Sequence, residues 1–349
     1  MSRPLRVAVC LPQVPFEHGG AEIHAETLVE ELRARGHEST LVTVPYSWYP
    51  DLSLLQSCLA WRTLDLVESN GTPIDVLIGT KFPSYLARHP RKVVWLFHQF
   101  RQAYDMHGTE YGQFADDAEG AAMREAVRHM DAVALGEARA LFTTSANNAG
   151  RLRRYNDIDA EVLPAPPQTL DLSWRGDDGF VLSVGRLDAA KRVDVLLRAL
   201  ASAPEARAVV VGSGPELEPL RALADELGLD ERAEFRGRVD EEELAELYGR
   251  CRGVYYAPHD EDYGFVTLEA HLAGKPVITT RDAGGPLEFV RDGETGLVTE
   301  PGPGPVARAL TRLSTDAEGA RRMGEAGRAV AETITWDRVI DRLLDAALA

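Results

Sequence analysis

Glu261-Asp262-Tyr263-Gly264-Phe265-Val266-Thr267-Leu268-Glu269 is the stretch from which the rest of the chain can be placed. It lies inside a longer run, Gly253 to Gly285, that reads as strand, acidic loop, short helix, strand and glycine turn. Gly253-Val254-Tyr255-Tyr256-Ala257-Pro258 is a short apolar and aromatic run stopped by proline, the pattern of a buried strand. A loop follows from His259 to Gly264. Phe265 to Leu272 carry helical periodicity, Gly274 stops the helix, and Pro276-Val277-Ile278 opens the next strand. Glu261 and Glu269 therefore bracket a helix N-terminus. Backbone N–H groups at such a terminus lack intrahelical partners and suit phosphate. Carboxylates repel phosphate, so the two glutamates make chemical sense if they face hydroxyls while the amides face charge. That is the polarity of a sugar nucleotide. Helical side chains lean toward the N-terminus, which lets Glu269 reach forward past Gly264. A plainer account, in which Asp260, Glu261 and Asp262 merely favour the positive end of the helix dipole, explains the same residues. The stretch alone does not separate the two.

Composition narrows the classes. A chain of 349 residues with 44% hydrophobic and 27% charged residues is expected to form two α/β domains. The formal net charge of −17 opposes nucleic acid, and equally opposes adsorption to acidic lipid as the main activity. An anionic ligand needs a local positive pocket. The small basic clusters at Arg88, Arg91 and Lys92 and at Arg151, Arg153 and Arg154 read as solvated surface. Cys10, Cys58 and Cys251 are scattered, so neither a disulfide framework nor a zinc site is expected, and a reducing cytoplasm fits best. No signal peptide is recognised and no apolar run approaches the ~20 residues of a membrane helix. Peripheral contact with a membrane remains compatible with this composition.

Outward from the opening stretch, the alternation of strands and helices occurs twice. Leu5 to Leu11 reads as a buried strand, and the loop after it ends in Gly19-Gly20 before a helix from Ala21 to Arg35. Strand, glycine pair and helix make a phosphate-approach loop of the doubly wound type, although a tight strand-to-helix turn accounts for the glycines as well. The GxGxxG fingerprint is absent, which argues against a nicotinamide cofactor. Glu38 to Val44 is a second strand; Tyr46 to Asn70 is expected to be mostly helical, with Trp48 and Trp61 in the core. Asp75 to Gly79 and Lys92 to Phe97 are further strands. The latter ends in His98-Gln99-Phe100-Arg101-Gln102, where open α/β sheets place ligands. His98 is thus a site candidate, set against the commoner structural histidine, with Arg101 and Tyr104 close by in the sequence. Tyr104 to Gly120 is an acidic, aromatic loop, Ala121 to Ala140 a helix, and Leu141 to Asn147 a strand with a polar end. Pro164, Pro166 and Pro167 mark a linker, giving domains 1–168 and 169–335.

The second half restarts with a strand from Phe180 to Val184 and the loop Gly185-Arg186-Leu187-Asp188-Ala189-Ala190-Lys191 ahead of a helix at Val193. Arg186 and Lys191 are spaced so that one loop can present both to a single anion, or simply carry both on the surface. Ala208 to Val211 ends in Gly212-Ser213-Gly214, and Phe235-Arg236-Gly237-Arg238-Val239 follows the next strand. Pro301 to Pro305 reads as a linker.

Glu261 to Glu269 resembles the Glu-x7-Glu motif of family 4 glycosyltransferases, and Gly274-Lys275-Pro276-Val277-Ile278 and Ala283 to Glu288 follow at the spacing of that family. Gly185-Arg186-Leu187 with Lys191 resembles its Gly-Arg-Leu-x3-Lys segment, Gly19-Gly20-Ala21-Glu22 its Gly-Gly-x-Glu loop, and Trp95 to His98 its histidine beside the donor sugar. The resemblance covers nearly the whole chain and is strongest in the second half. It implies the α/β GT-B fold, two Rossmann-like domains facing a shared cleft, with the helix 336–349 crossing back to the first. It also implies transfer of a hexosyl group, with retention, from a nucleoside diphosphate sugar to an acceptor hydroxyl. UDP-sugars are the common donors and GDP-sugars an option. Under it Arg186, Lys191 and the amides around Gly264, Phe265 and Val266 hold the diphosphate, Val239 lies by the base, Glu261 binds sugar hydroxyls and Glu269 the ribose. Gly19 and Gly20 approach the phosphates, Arg101 and Tyr104 frame the acceptor, and His98, Arg186, Lys191 and Glu261 act in catalysis. No Asp-x-Asp metal motif is apparent in a supporting context, so no metal or other cofactor is expected. A glycosidase pair of carboxylates would leave Arg186 and Lys191 no substrate charge to meet. The alternatives are a GT-B epimerase or phosphorylase, or a catalytically silent GT-B partner subunit.

Overall fold

Near-continuous runs such as Val7 to Leu11, Val76 to Ile78 and Val93 to Leu96 are buried residue by residue, as parallel strands covered on both faces require. The computed structural model describes residues 3–16, 19–109, 112–167 and 171–349. Two compact units result, one of residues 1–165 and 335–349, the other of residues 166–334. The boundary expected between 168 and 169 falls on residues 168–170, outside the described residues.

The first unit holds β1 (Arg6–Gln13), β2 (Glu38–Pro45), β3 (Val76–Gly79), β4 (Lys92–Leu96), β5 (Ala140–Thr143) and β6 (Glu161–Val162). They form one parallel sheet in the order β2-β1-β3-β4-β5-β6. Its helices are α1 (Gly20–Ala34), α2 (Asp51–Thr63), α3 (Ala118–Gly136) and α4 (Ala146–Asn156). The second unit holds β7 (Val181–Val184), β8 (Ala208–Val211), β9 (Ala233–Gly237), β10 (Gly253–Tyr255), β11 (Val277–Thr280) and β12 (Gly296–Thr299). These also run parallel, in the order β9-β8-β7-β10-β11-β12. Helices α5 (Val193–Ala201), α6 (Leu217–Glu226), α7 (Glu241–Arg250), α8 (Phe265–Leu272), α9 (Pro303–Thr315) and α10 (Ala317–Ala331) cover it. In the second sheet the order reverses between β7 and β10. Open α/β sheets bind ligands beyond the strand ends at such a reversal. The loops after β7 and β10 carry Lys191 and Glu261.

The last helix, α11 (Trp336–Leu348), returns to the first unit. Its buried side, Trp336, Val339, Ile340, Leu343, Leu344 and Ala347, follows helical spacing. Trp336 stacks on His24 of α1 at 5.1 Å and meets Trp95 of β4 edge-on at 6.2 Å. Burial lowers His24 to about 3, so this ring packs neutral.

Three local expectations are corrected. The region from Tyr46 to Asn70 is helical only over α2, which starts after Pro50, and Trp48 is exposed whereas Trp61 is buried. Glu68–Ser69 instead pairs antiparallel with Thr72–Pro73 around Asn70-Gly71, both at positive φ. The strand read over Leu141 to Asn147 stops at Thr143, because the Ser145 side chain accepts the Asn148 amide and caps α4. The stretch Pro301 to Pro305 is not all linker: α9 begins at Pro303, since proline is preorganised for a first helical turn. No described helix is long and apolar enough to cross a membrane.

Candidate functional site

In the second unit three loops meet through the backbone. His259 N donates to Ala190 O, Asp260 N to Asp282 O and Glu261 N to Ala283 O, each at 2.8 Å. Gly285 N donates back to Glu261 O at 2.8 Å. Arg192, the left-handed residue before α5, ties the same loops with its guanidinium on both oxygens of Asp282 at 2.9 and 2.8 Å. Asp282 is thereby held low, at about 2: its burial opposes ionisation and is outweighed by the Arg192 and Thr280 hydrogen bonds. On this frame Lys191 makes an ion pair with Glu261, and its ammonium lies 5.7 Å from the centre of the Tyr256 ring. Burial works against the charge on Lys191, but Tyr256 and Glu261 outweigh it and raise its pKa. Lys191 is a fixed cation at the switch point of the sheet.

Gly264 precedes α8 at φ 89°, and a Cβ there would lie 2.8 Å from Tyr256 Cε1 and 3.1 Å from Pro286 Cγ. Only glycine brings the chain this close to the Tyr256 ring in that conformation. No side chain among the described residues caps the N-terminus of α8, and its first turn, Phe265 and Val266, follows directly on the Glu261 loop. The other end of α8 is fixed by α10, where a Cβ on Gly327 would fall 2.5 Å from the His271 ring. Burial lowers His271 to about 4, and its Nε2 lies 3.2 Å from Thr295 O.

Glu269 is buried on α8 and accepts the Tyr248 hydroxyl at 2.6 Å. Burial pushes its carboxyl up and the Tyr248 hydrogen bond acts against that shift. Val239 and Val266 both pack against the hydrophobic cluster that contains Tyr248 and Tyr256. Lys191, Glu261, Gly264, Phe265, Val266, Glu269 and Val239 thus belong to one end of one sheet. Arg186 is far more exposed than Lys191, 67% against 23%, and its Nε is 4.0 Å from Asp188 Oδ2.

In the first unit the Gly19 amide donates to Glu22 Oε2 at 3.1 Å, and Glu22 Oε1 takes the Lys81 ammonium at 2.8 Å. Burial disfavours charge on Glu22, but Lys81 overrides it and lowers the pKa. The amide of Gly19 is therefore spent on its own helix, while Gly20 lies exposed at the first position of α1. His98 is half-buried just beyond β4, with Nδ1 2.9 Å from Gln99 O. Arg101 holds Asp105 at 2.6 Å, and Tyr104 is buried with its hydroxyl on Asp131 at 2.7 Å, so neither side chain is disposed as the expected acceptor frame. Tyr248, Tyr256, Arg192 and Asp282 escaped the sequence reading. For Tyr256 a signal existed, an aromatic pair closing an otherwise apolar strand.

Among the described residues no three His, Cys, Asp or Glu side chains cluster as metal ligands. The glycosyl transferases group 1 family matches residues 170–330. A D-inositol 3-phosphate glycosyltransferase of Streptomyces scabiei is 32% identical over 227 residues, 56% of this chain and 51% of that protein. The chain thus spans about half the length of the curated relatives it matches. Sucrose-phosphate synthase from Thermosynechococcus elongatus has the same fold, with a TM-score of 0.78 at 22% identity over 98% of this chain and 100% of that chain. So does Anabaena HepE, solved in complex with UDP-glucose, with a TM-score of 0.70 at 17% identity over 97% of this chain and 98% of that one. The chain therefore has the GT-B fold, and its residues 170–330 match the glycosyl transferases group 1 family.

Proposed function

We propose that the chain is a retaining, metal-independent hexosyltransferase that moves a sugar from a nucleoside diphosphate to an acceptor hydroxyl in the cytoplasm. The observation that carries this reading is the Lys191–Glu261 pair at the switch point, next to the N-terminus of α8. A cation and helix amides beside a carboxylate suit a ligand that is anionic at one end and hydroxylated at the other. In the reaction the bond from the anomeric carbon to the phosphate oxygen breaks and the acceptor oxygen bonds to that carbon on the same face. The acceptor's proton passes to the departing phosphate oxygen. Negative charge grows on the diphosphate, and Lys191, Arg186 and the amides around Gly264 to Val266 oppose it with preorganised positive potential. Glu261 takes the sugar hydroxyls, Glu269 the ribose, and Val239 lies by the base. His98 serves beside the sugar, and Gly20 flanks the phosphates. Because HepE is described with UDP-glucose, UDP-sugars are the first donors to test and GDP-sugars the second.

The test is calorimetric titration of UDP-glucose and GDP-glucose into the wild type and Lys191→Ala, followed by donor turnover. One nucleotide sugar is expected to bind, and Lys191→Ala to weaken it and slow turnover by about 10²–10³. Unchanged binding and turnover in Lys191→Ala would overturn the assignment. Turnover abolished by chelator and restored by Mg²⁺ would overturn the metal-independent part alone.

A further inference from the structure

A buried chain of hydrogen bonds in the first unit ends at the loop that carries His98. Asp131, on α3, is fully buried; its Oδ1 accepts the Tyr85 hydroxyl at 2.8 Å and its Oδ2 the Tyr104 hydroxyl at 2.7 Å. The Tyr104 oxygen accepts in turn from Asn156 Nδ2 at 3.1 Å, and Asn156 Oδ1 accepts from Gln99 Nε2. Asn156 closes α4, whose Asn148 donates Nδ2 to Phe97 O at 2.6 Å. Asn148 is itself held by Arg151 Nη1 at 3.0 Å. The residues on both sides of His98 are therefore tied to one helix, and the end of that helix is tied through Tyr104 to Asp131.

The chain has a direction. Gln99 donates to Asn156, Asn156 to Tyr104, and Tyr104 to Asp131, so every proton points toward the carboxylate. An ionised carboxylate accepts both phenols and leaves Tyr104 lone pairs free for Asn156. A protonated Asp131 becomes a donor at one oxygen, and one phenol proton then loses its acceptor, which in a dry interior is costly. The groups that face Asp131 are Tyr85 from the turn Ser84–Leu86, Tyr104, Cys58 of α2 and Tyr46 beyond β2. Arg128, one turn earlier on α3, lies 5.9 Å from the Tyr104 ring centre. Among the described residues no ion pair to Asp131 is found within 4.0 Å. Burial raises Asp131 to about 7 against the lowering effect of the two tyrosines, which puts its two protonation states within reach near neutrality.

We propose that Asp131 is a positioning residue for the His98 loop: its carboxylate sets the direction of the Gln99–Asn156–Tyr104 chain, and protonating it loosens residues 97–101. Only the effect on turnover rests on the transferase reading above; the ordering of the loop is a property of the first unit.

The experiment is an amide NMR titration of the full-length chain from pH 5.5 to 8.5. It is made in a His98→Gln background, so that the imidazole's own ionisation is removed. The amides of residues 97–101 are expected to shift with a midpoint near 7. In His98→Gln/Asp131→Asn that transition disappears. In His98→Gln/Tyr104→Phe, which cuts the chain one link later, it also disappears while the Asp131 carboxyl carbon still titrates. If Asp131→Asn fails to fold, the Tyr104→Phe arm decides alone. Absence of the transition in His98→Gln, or its persistence in either double variant, overturns the proposal. In otherwise native enzyme, Asp131→Asn is expected to lower kcat on the order of tenfold to a hundredfold, to leave donor KM unchanged and to flatten the acidic limb of the pH profile. A KM change without a kcat change overturns the link to His98. If no donor is turned over at all, the transferase reading fails and the amide titration still decides the role of Asp131.

Discussion

The loop that carries Glu261 is tied to the Lys191 loop and to the Asp282 loop by four main-chain hydrogen bonds at 2.8 Å, whereas the loop that carries His98 is tied to α4 and to Asp131 by the side chains of Asn148, Asn156 and Tyr104. A frame held mostly by backbone survives most single substitutions, because side chains supply few of its bonds, here Arg192 on Asp282. A frame made of side chains depends on each one, and on the charge of the buried carboxylate where it ends. The second unit is therefore expected to tolerate change around its charged pair, and the first to be sensitive far from its own candidate residue.

That contrast can be strained first by Trp336→Ala, which removes the ring stacked on His24 and docked on Trp95. The change is expected to destabilise the first unit by about 3–5 kcal/mol. Scanning calorimetry should show its transition lowered, and UDP-glucose titration should show donor affinity kept. Loss of donor affinity in step with the melting shift would show the two frames to be less separate than their bonding suggests. A smaller effect is expected from Tyr248→Phe, which leaves the buried Glu269 oxygen without its donor at a cost of about 1–3 kcal/mol. Here pH gives the sign. Burial raises Glu269 above its unfolded value, so its contribution is complete below that value and is lost as pH rises through the folded one. Removing the hydroxyl raises the folded pKa further, and Tyr248→Phe should lose more stability at pH 7 than at pH 4 in urea unfolding. The smallest stability change belongs to Arg186→Ala, expected within about 0.5 kcal/mol because the side chain is exposed. Donor turnover in that variant should nevertheless fall. A melt lowered as much as that of Tyr248→Phe would mean that Arg186 has a structural anchor.

How much of this was legible follows from the same contrast. Lys191, Glu261 and Glu269 sit in short contiguous segments whose spacing already says loop and helix start, and the strand order puts them at one end of one sheet. Tyr248 could not be assigned to Glu269 from sequence, because it reaches that carboxylate from another helix 21 positions away. Tyr85 and Tyr104 are 46 and 27 positions from Asp131, and nothing in the local pattern of α3 marks that aspartate as the end of a chain. Other departures had signals. Asn70-Gly71 is a hairpin turn sequence, Ser145 a helix cap, and Pro303 a first-turn proline, each outweighed by the composition of its surroundings.

The path of the chain has a consequence for how the molecule is made. Synthesis delivers residues 1–165 first, then the whole of the second unit, and only then α11. Until that last helix emerges, the surface of α1 and β4 around His24 and Trp95 lacks the Trp336 ring that covers it. Units fold in the order in which they are completed, so the second, although made later, can finish first. The residues of the first unit that are made before the second are the ones that must wait for α11.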